Sequence, residues 1–154
     1  MPDVPRPSKR AGSTTPRDIL VATDADWIHD EVEAALAGPD RAVRWVRHGI
    51  DVRLAVAESE PALVVLDLQI GNMGGMATCM DLHLEASGGR LPRVPVLMLL
   101  DREADIFLAR RSDADGWLIK PIDAFRLRKA ANALLAGDSY HEGIPADAVE
   151  PLLT

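Results

Sequence analysis

The chain is short of cysteine, of positive charge and of long apolar runs, and each shortage removes a class of protein. Cys79 is the single cysteine, which excludes an internal disulfide and an all-cysteine metal site and points to a reducing cytoplasm. Such a thiol is read as a small buried hydrophobe. Lys and Arg number 17 against 24 Asp and Glu, a net charge of -7 with a pI near 5.0. Affinity for a phosphate backbone comes from clustered basic side chains, so nucleic acid is not expected as a partner. No run reaches the ~18 apolar residues of a membrane span, and the amino terminus lacks the apolar centre of a signal peptide. The expectation is a cytoplasmic protein not inserted in a membrane by its own sequence. Gly71, Gly74 and Gly75 fit neither a dinucleotide fingerprint nor a P-loop and read as a turn. His29, His48, His83 and His141 show no metal-ligand spacing and read as surface or cap residues.

What is present is enough apolar material, 47% of 154 residues, to bury the core of one domain. Residues 1 to 18 hold four prolines and four basic residues against two acids, an extended arm with little to bury. Residues 137 to 154 form a second, acidic tail. Between them, residues 19 to 136 alternate. Strands are expected at Ile19 to Ala22, Ala42 to Val46, Leu63 to Leu68, Val94 to Leu100 and Gly116 to Ile119. Five helices follow them, the first with Ile28, Val32, Ala35 and Leu36 on one face and the second with Ile50, Leu54 and Ala57. The others are expected at Ala77 to Ala86, Glu103 to Arg111 and Ala124 to Ala136.

Strands apolar on both faces and separated by helices imply an α/β fold, a doubly wound five-stranded parallel sheet of (βα)5 flavodoxin-like type. Right-handed crossovers gather all strand carboxyl ends on one edge. That edge receives Thr23 and Asp24, then Asp67, then Leu100 and Asp101, then Lys120 before Pro121. Carboxylates beside a lysine suit a hard cation plus a phosphoryl group: the acids and a carbonyl hold Mg²⁺, and the ammonium pairs with a phosphate oxygen. The sequence TDAD after the first strand would oppose the phosphate of a bound flavin.

Through LVATDAD, LVVLDLQIGNMGG, VPVLMLL and DGWLIKP, residues 18 to 136 resemble a response-regulator receiver domain. The resemblance implies that Asp67 is the phosphoacceptor, that Asp24 is the second acid of a Mg²⁺-binding pair, and that Lys120 contacts the phosphoryl group. Gln69 would lend its backbone carbonyl to the metal. Four positions depart from the pattern. Thr23 replaces the first acid, which weakens Mg²⁺ binding. Leu100 replaces the hydroxyl that follows the phosphoryl group during switching. Asp101 stands where a small residue is usual, and its charge repels a phosphoryl group unless it points away. Trp117 takes the place of the rotating aromatic and reads as a fixed packing or interface residue.

Each site residue also has a plain reading. Asp67 is then a retained carboxylate paired with Lys120, Asp24 an amino-terminal cap or dipole partner for the first helix, and Leu100 core filler. Trp27, Trp45 and Phe125 are packing residues or partner anchors; Phe125, beside Arg126 and Arg128, is the exposed candidate. Two functions follow. In one, the protein is a stand-alone degenerate receiver that binds a protein partner without phosphorylation and requires no cofactor. In the other, a histidine kinase or small phosphodonor phosphorylates Asp67 with Mg²⁺, and the face formed by the fourth helix, fifth strand and fifth helix reads out the change. The departures favour the first. The whole chain is also similar to receiver-like accessory subunits of respiratory complex I in high-GC Gram-positive bacteria, which implies a large membrane-associated partner and a peripheral position on the cytoplasmic side of the inner membrane. No nucleophile and base pair or substrate pocket is evident, so no enzyme class is assigned.

Overall fold

A computed structural model describes residues 16–143. The arm expected at 1 to 18 and the tail expected at 137 to 154 therefore lie largely outside the described residues. Six parallel strands form one sheet in the order β2-β1-β3-β4-β5-β6. They are β1 (Ile19–Ala22), β2 (Val43–Val46), β3 (Leu63–Asp67), β4 (Val96–Leu100), β5 (Gly116–Ile119) and β6 (Tyr140–His141). The helices are α1 (Asp26–Leu36), α2 (Val52–Glu58), α3 (Gly75–Ser87), α4 (Ile106–Arg111) and α5 (Ala124–Leu135), with 3-10 turns at Gly49–Asp51 and Glu103–Asp105 leading into α2 and α4.

The alternation of side chains along each strand builds two cores. Leu20, Val64, Leu66, Val96, Met98 and Leu100 face α2, α3 and α4. Ile19, Val21, Val65, Leu97 and Leu99 face α1 and α5. Both β3 and β4 are buried along their whole length, as central parallel strands covered on both sides must be. Asp67 is thus the carboxyl-terminal residue of a fully buried strand.

Two expectations about the elements are corrected. The face of α2 is not Ile50, Leu54 and Ala57: Ile50 is 66% and Leu54 61% exposed, while Val52, Ala55 and Val56 are buried. The helix begins later, and its first turn is 3-10, so the inward face is displaced by one to two residues. The sheet also gains a strand beyond residue 136. β6 pairs with β5 through Gly116 and Tyr140 and through Trp117 and His141, so residues 140 to 143 belong to the folded unit. Gly116 permits this approach, since a Cβ there would lie 2.8 Å from the Tyr140 carbonyl oxygen.

Gly49 is required for a similar reason. Its amide donates to the Gly71 carbonyl at 3.0 Å, and an added Cβ would fall 1.8 Å from the carbonyl oxygen of Met73. The loop from β3 to α3, which carries Gln69 and has Asn72 and Met73 at positive φ, is held against the start of α2 by this contact.

Candidate functional site at the carboxyl edge of the sheet

The structure brings Thr23, Asp24, Asp67, Asp101 and Lys120 to the carboxyl edge, as the order of strands requires. Asp67 is only 2% exposed, and donors engage both of its carboxylate oxygens. The Thr23 hydroxyl donates to Oδ2 at 2.7 Å. Lys120 Nζ and the Gln69 amide donate to Oδ1 at 2.8 and 3.0 Å. Lys120 Nζ donates also to Asp101 Oδ1 at 2.7 Å, so one ammonium bridges two carboxylates. Burial works against the Lys120 charge, but its hydrogen bonds to Asp101 and Asp67 and the charges of both acids outweigh it. The net effect holds the ammonium above the ordinary lysine range.

Thr23 is buried and fixed from three directions. Its hydroxyl accepts the Ala25 amide at 3.1 Å while donating to Asp67, and its carbonyl accepts the Trp45 indole N–H at 2.9 Å. Trp45 is in turn stacked on His29, with centroids 3.9 Å apart. Asp24 is exposed and accepts the Gly71 amide at 3.2 Å, which ties the β1 to α1 loop to the β3 to α3 loop. It does not cap α1: the N-cap is Ala25, and no side chain caps that helix.

Asp101 does not point away from the site into solvent; it turns toward Lys120. The cause is Asp105, an acid that sequence reasoning passed over. Asp105 is buried, and its Oδ2 accepts the amides of Asp101 and Arg102, each at 3.2 Å, pinning the turn after β4. An aspartate five residues beyond the strand, opening a helix, was the available signal. Leu100 is fully buried within the core against α2, α3 and α4 and offers no donor. Trp117 is 3% exposed, stacks on His141 at 4.3 Å, and donates its indole N–H to the Glu142 carbonyl at 2.9 Å.

Three expectations therefore change. Trp117 is not an exposed interface residue, because β6 covers it. Arg126 is not a free cation: it bonds Asp123, Glu142 and the carbonyls of Ile119 and Pro121. His141 is not a surface residue but a strand residue against Trp117. Phe125 is exposed, at 71%, and Arg128 on the same helix is exposed too.

A divalent cation at this edge would draw on Asp24, Asp67 and the backbone carbonyl of Gln69. No group of three His, Cys, Asp or Glu with the geometry to hold a metal ion exists among the described residues. Thr23 contributes a hydroxyl whose proton is given to Asp67, so the set offers two carboxylates, Asp24 and Asp67, each already accepting hydrogen bonds. This is a poor fit for Mg²⁺, which needs near-octahedral oxygen coordination. Beside the site, Leu68, Met76, Met80 and Leu108 line an open groove of about 460 Å³ with Gln69 at its rim. Its lining is mainly apolar and offers a phosphate little to bind.

The chain is similar to known proteins in sequence and in fold. The chain is 32% identical over 125 residues to the transcriptional regulatory protein GltR of Pseudomonas aeruginosa, covering 80% of this chain and 50% of that one. It is 29% identical over 140 residues to the nitrate/nitrite response regulator NarL of Escherichia coli, covering 90% and 62%. The chain thus spans about half to three-fifths of these relatives. It is 27% identical to protein PilH of Pseudomonas aeruginosa over 77% of this chain and 98% of PilH. Among solved structures, a putative response regulator from Chloroflexus aurantiacus superposes with a TM-score of 0.70 at 21% identity, covering 79% of this chain and 99% of that one. A LuxR-family two-component response regulator from Aurantimonas superposes at 0.71 and 20% identity over 90% and 99%. These two show the fold. The model of the response regulator receiver domain matches residues 19–132, and the chain belongs to that family.

Proposed function

We propose that this receiver domain works as a protein-binding regulatory module that does not depend on phosphorylation of Asp67 and has no catalytic chemistry of its own. The observation that carries this reading is the Lys120 bridge. The ammonium that would meet an incoming phosphoryl group is held by Asp67 and Asp101 together, and Asp101 places a second negative charge where that group would arrive. Leu100 supports the reading, because a buried leucine cannot follow a phosphoryl oxygen. Mg²⁺ is not required. The docking function draws on exposed apolar side chains: Leu54 on α2, Met80 and Leu84 on α3, Phe107 on α4 and Phe125 on α5.

The test is intact-mass spectrometry of the purified chain incubated with acetyl phosphate and Mg²⁺. The unmodified mass is expected, together with unchanged partner binding by Asp67→Asn. Stoichiometric phosphorylation lost in Asp67→Asn would replace this reading with that of a phosphorylatable receiver served by a histidine kinase, for which the retained Asp67 and Lys120 pair is the supporting feature. Membership of a large membrane-associated assembly such as respiratory complex I rests on the resemblance of the whole chain. It is tested by the native size of the tagged protein in a gentle detergent extract of its source cells.

A further inference from the structure

β5 would be the last strand of the sheet if the chain did not return to it. A free edge presents unpaired N–H and C=O groups and invites an extended segment. Here residues 140 to 142 fill that edge, and the contacts they make are specific. The Trp117 ring stacks on His141, and its indole N–H donates to the Glu142 carbonyl. The Glu142 carboxylate accepts the Ile119 amide at 2.8 Å and Arg126 Nε at 2.8 Å, with a further contact from Arg126 Nη2.

The receptor half of this contact does not depend on the segment that fills it. Arg126 is held separately by the carbonyls of Pro121 and Ile119, at 2.7 and 2.8 Å, and by Asp123 at 3.1 Å. If residues 140 to 142 left, the guanidinium would stay aimed at the same point beside two free donors, the Ile119 amide and the Trp117 indole. The segment itself is slight: a two-residue strand of half-buried residues. It is joined to α5 through a short turn with Gly137 at φ +88. A short strand on a preformed slot is displaceable.

We propose that the β5 edge is a peptide-binding slot, occupied in cis by residues 140 to 142, whose ligand in trans is an extended acidic segment of a partner protein. That segment runs parallel to β5 and carries a ring residue for Trp117 followed by a glutamate for Arg126 and the Ile119 amide. The slot gives the protein-binding reading above a location and a switch, since the partner must displace the chain's own strand, and it rests on that reading only for its biological use.

The experiment follows the Trp117 indole and Ile119 amide resonances by NMR in the full chain and in Glu142→Gln, while a peptide of residues Asp138 to Gly143 is added. Glu142→Gln keeps the shape of the segment and removes its charge, so it is expected to fold. Peptide binding to Glu142→Gln should be at least tenfold tighter than to the unmodified chain, with both resonances moving and with the Glu→Gln peptide failing to bind. A variant ending at Ala136 provides a second open slot and should bind the peptide at least as well. Equal binding to all forms, or none to a folded open variant, overturns the proposal. A concentration-dependent dimer of Glu142→Gln without peptide binding also overturns it, in favour of a second copy as occupant. None of these outcomes depends on whether Asp67 accepts a phosphoryl group, so failure of the slot and failure of the phosphorylation-independent reading are told apart.

Discussion

Thr23 Oγ donates to Asp67 Oδ2 at 2.7 Å, on the opposite side of the carboxylate from Lys120 Nζ at 2.8 Å. A neutral donor stands where the resemblance places the first acid of the pair, so Thr23 lowers the negative charge at the edge, and Asp67 is satisfied by a hydroxyl and an ammonium. Thr23→Asp combined with Asp101→Ala and Leu100→Thr should restore the missing charge, open the approach to Lys120 and supply a hydroxyl. A phosphoryl mass shift with acetyl phosphate and Mg²⁺ is expected in this triple variant and not in the parent chain. No shift in a folded triple variant would locate the defect elsewhere.

Removing Lys120 leaves Asp67 buried and uncompensated. Lys120→Met should cost about 3 kcal/mol in urea unfolding near neutral pH, within the range for breaking a buried pair. Asp101→Ala exposes no buried charge, since its side chain is 38% exposed, and should cost under about 1 kcal/mol. If Asp67→Asn in the Lys120→Met background recovers most of the loss, the cost lies in the stranded carboxylate.

Burial pushes the Cys79 thiol up to about 12, and its Sγ donates to the Ser112 carbonyl. The thiolate is the reactive form. Modification by a thiol reagent should therefore be undetectable under native conditions near neutral pH and become complete in urea. Rapid labelling of the native protein would show that α3 opens locally.

His141 is held below the ordinary imidazole value of 6.5, first by burial and then by the charge of Arg110 on α4. A folded value below the unfolded one means the unfolded chain takes up the proton first. This contribution is complete above about 6.5 and is lost as pH falls from there through the folded value. Amide exchange at Ile119 should accelerate over that window beyond its normal pH trend, and His141→Phe should abolish the extra acceleration.

Gly49→Ala would drive a Cβ against the Met73 carbonyl, a backbone atom that cannot rotate aside. A loss of more than about 2 kcal/mol is expected from this overpacking, with chemical-shift changes centred on residues 69 to 74. Leu54→Gln, on the exposed face of α2, should leave stability within about 0.5 kcal/mol.

The strands β1, β3, β4 and β5, the face of α1 and the extent of α5 were legible because their apolar spacing is local and repeats over several residues. The face of α2 was not, since seven helical residues after a 3-10 turn carry too few repeats to phase it. β6 was not either, as two residues have no period at all.

The sequence by itself determined the succession of strands and helices along the chain, and with it that Asp24, Asp67, Asp101 and Lys120 share one edge, because parallel strands joined by crossover helices all end on the same side of the sheet. Only the tertiary structure decided which oxygen meets which donor. Thr23 and Lys120 reach Asp67 across 44 and 53 residues of chain, and contacts of that kind depend on strand register. They depend also on loop restraints: Asp105 turns Asp101 toward Lys120, and the Arg126 and Trp117 slot draws Glu142 back to β5. No run of neighbouring residues encodes those pairings, since each is a distance between elements that are separate until the sheet has formed.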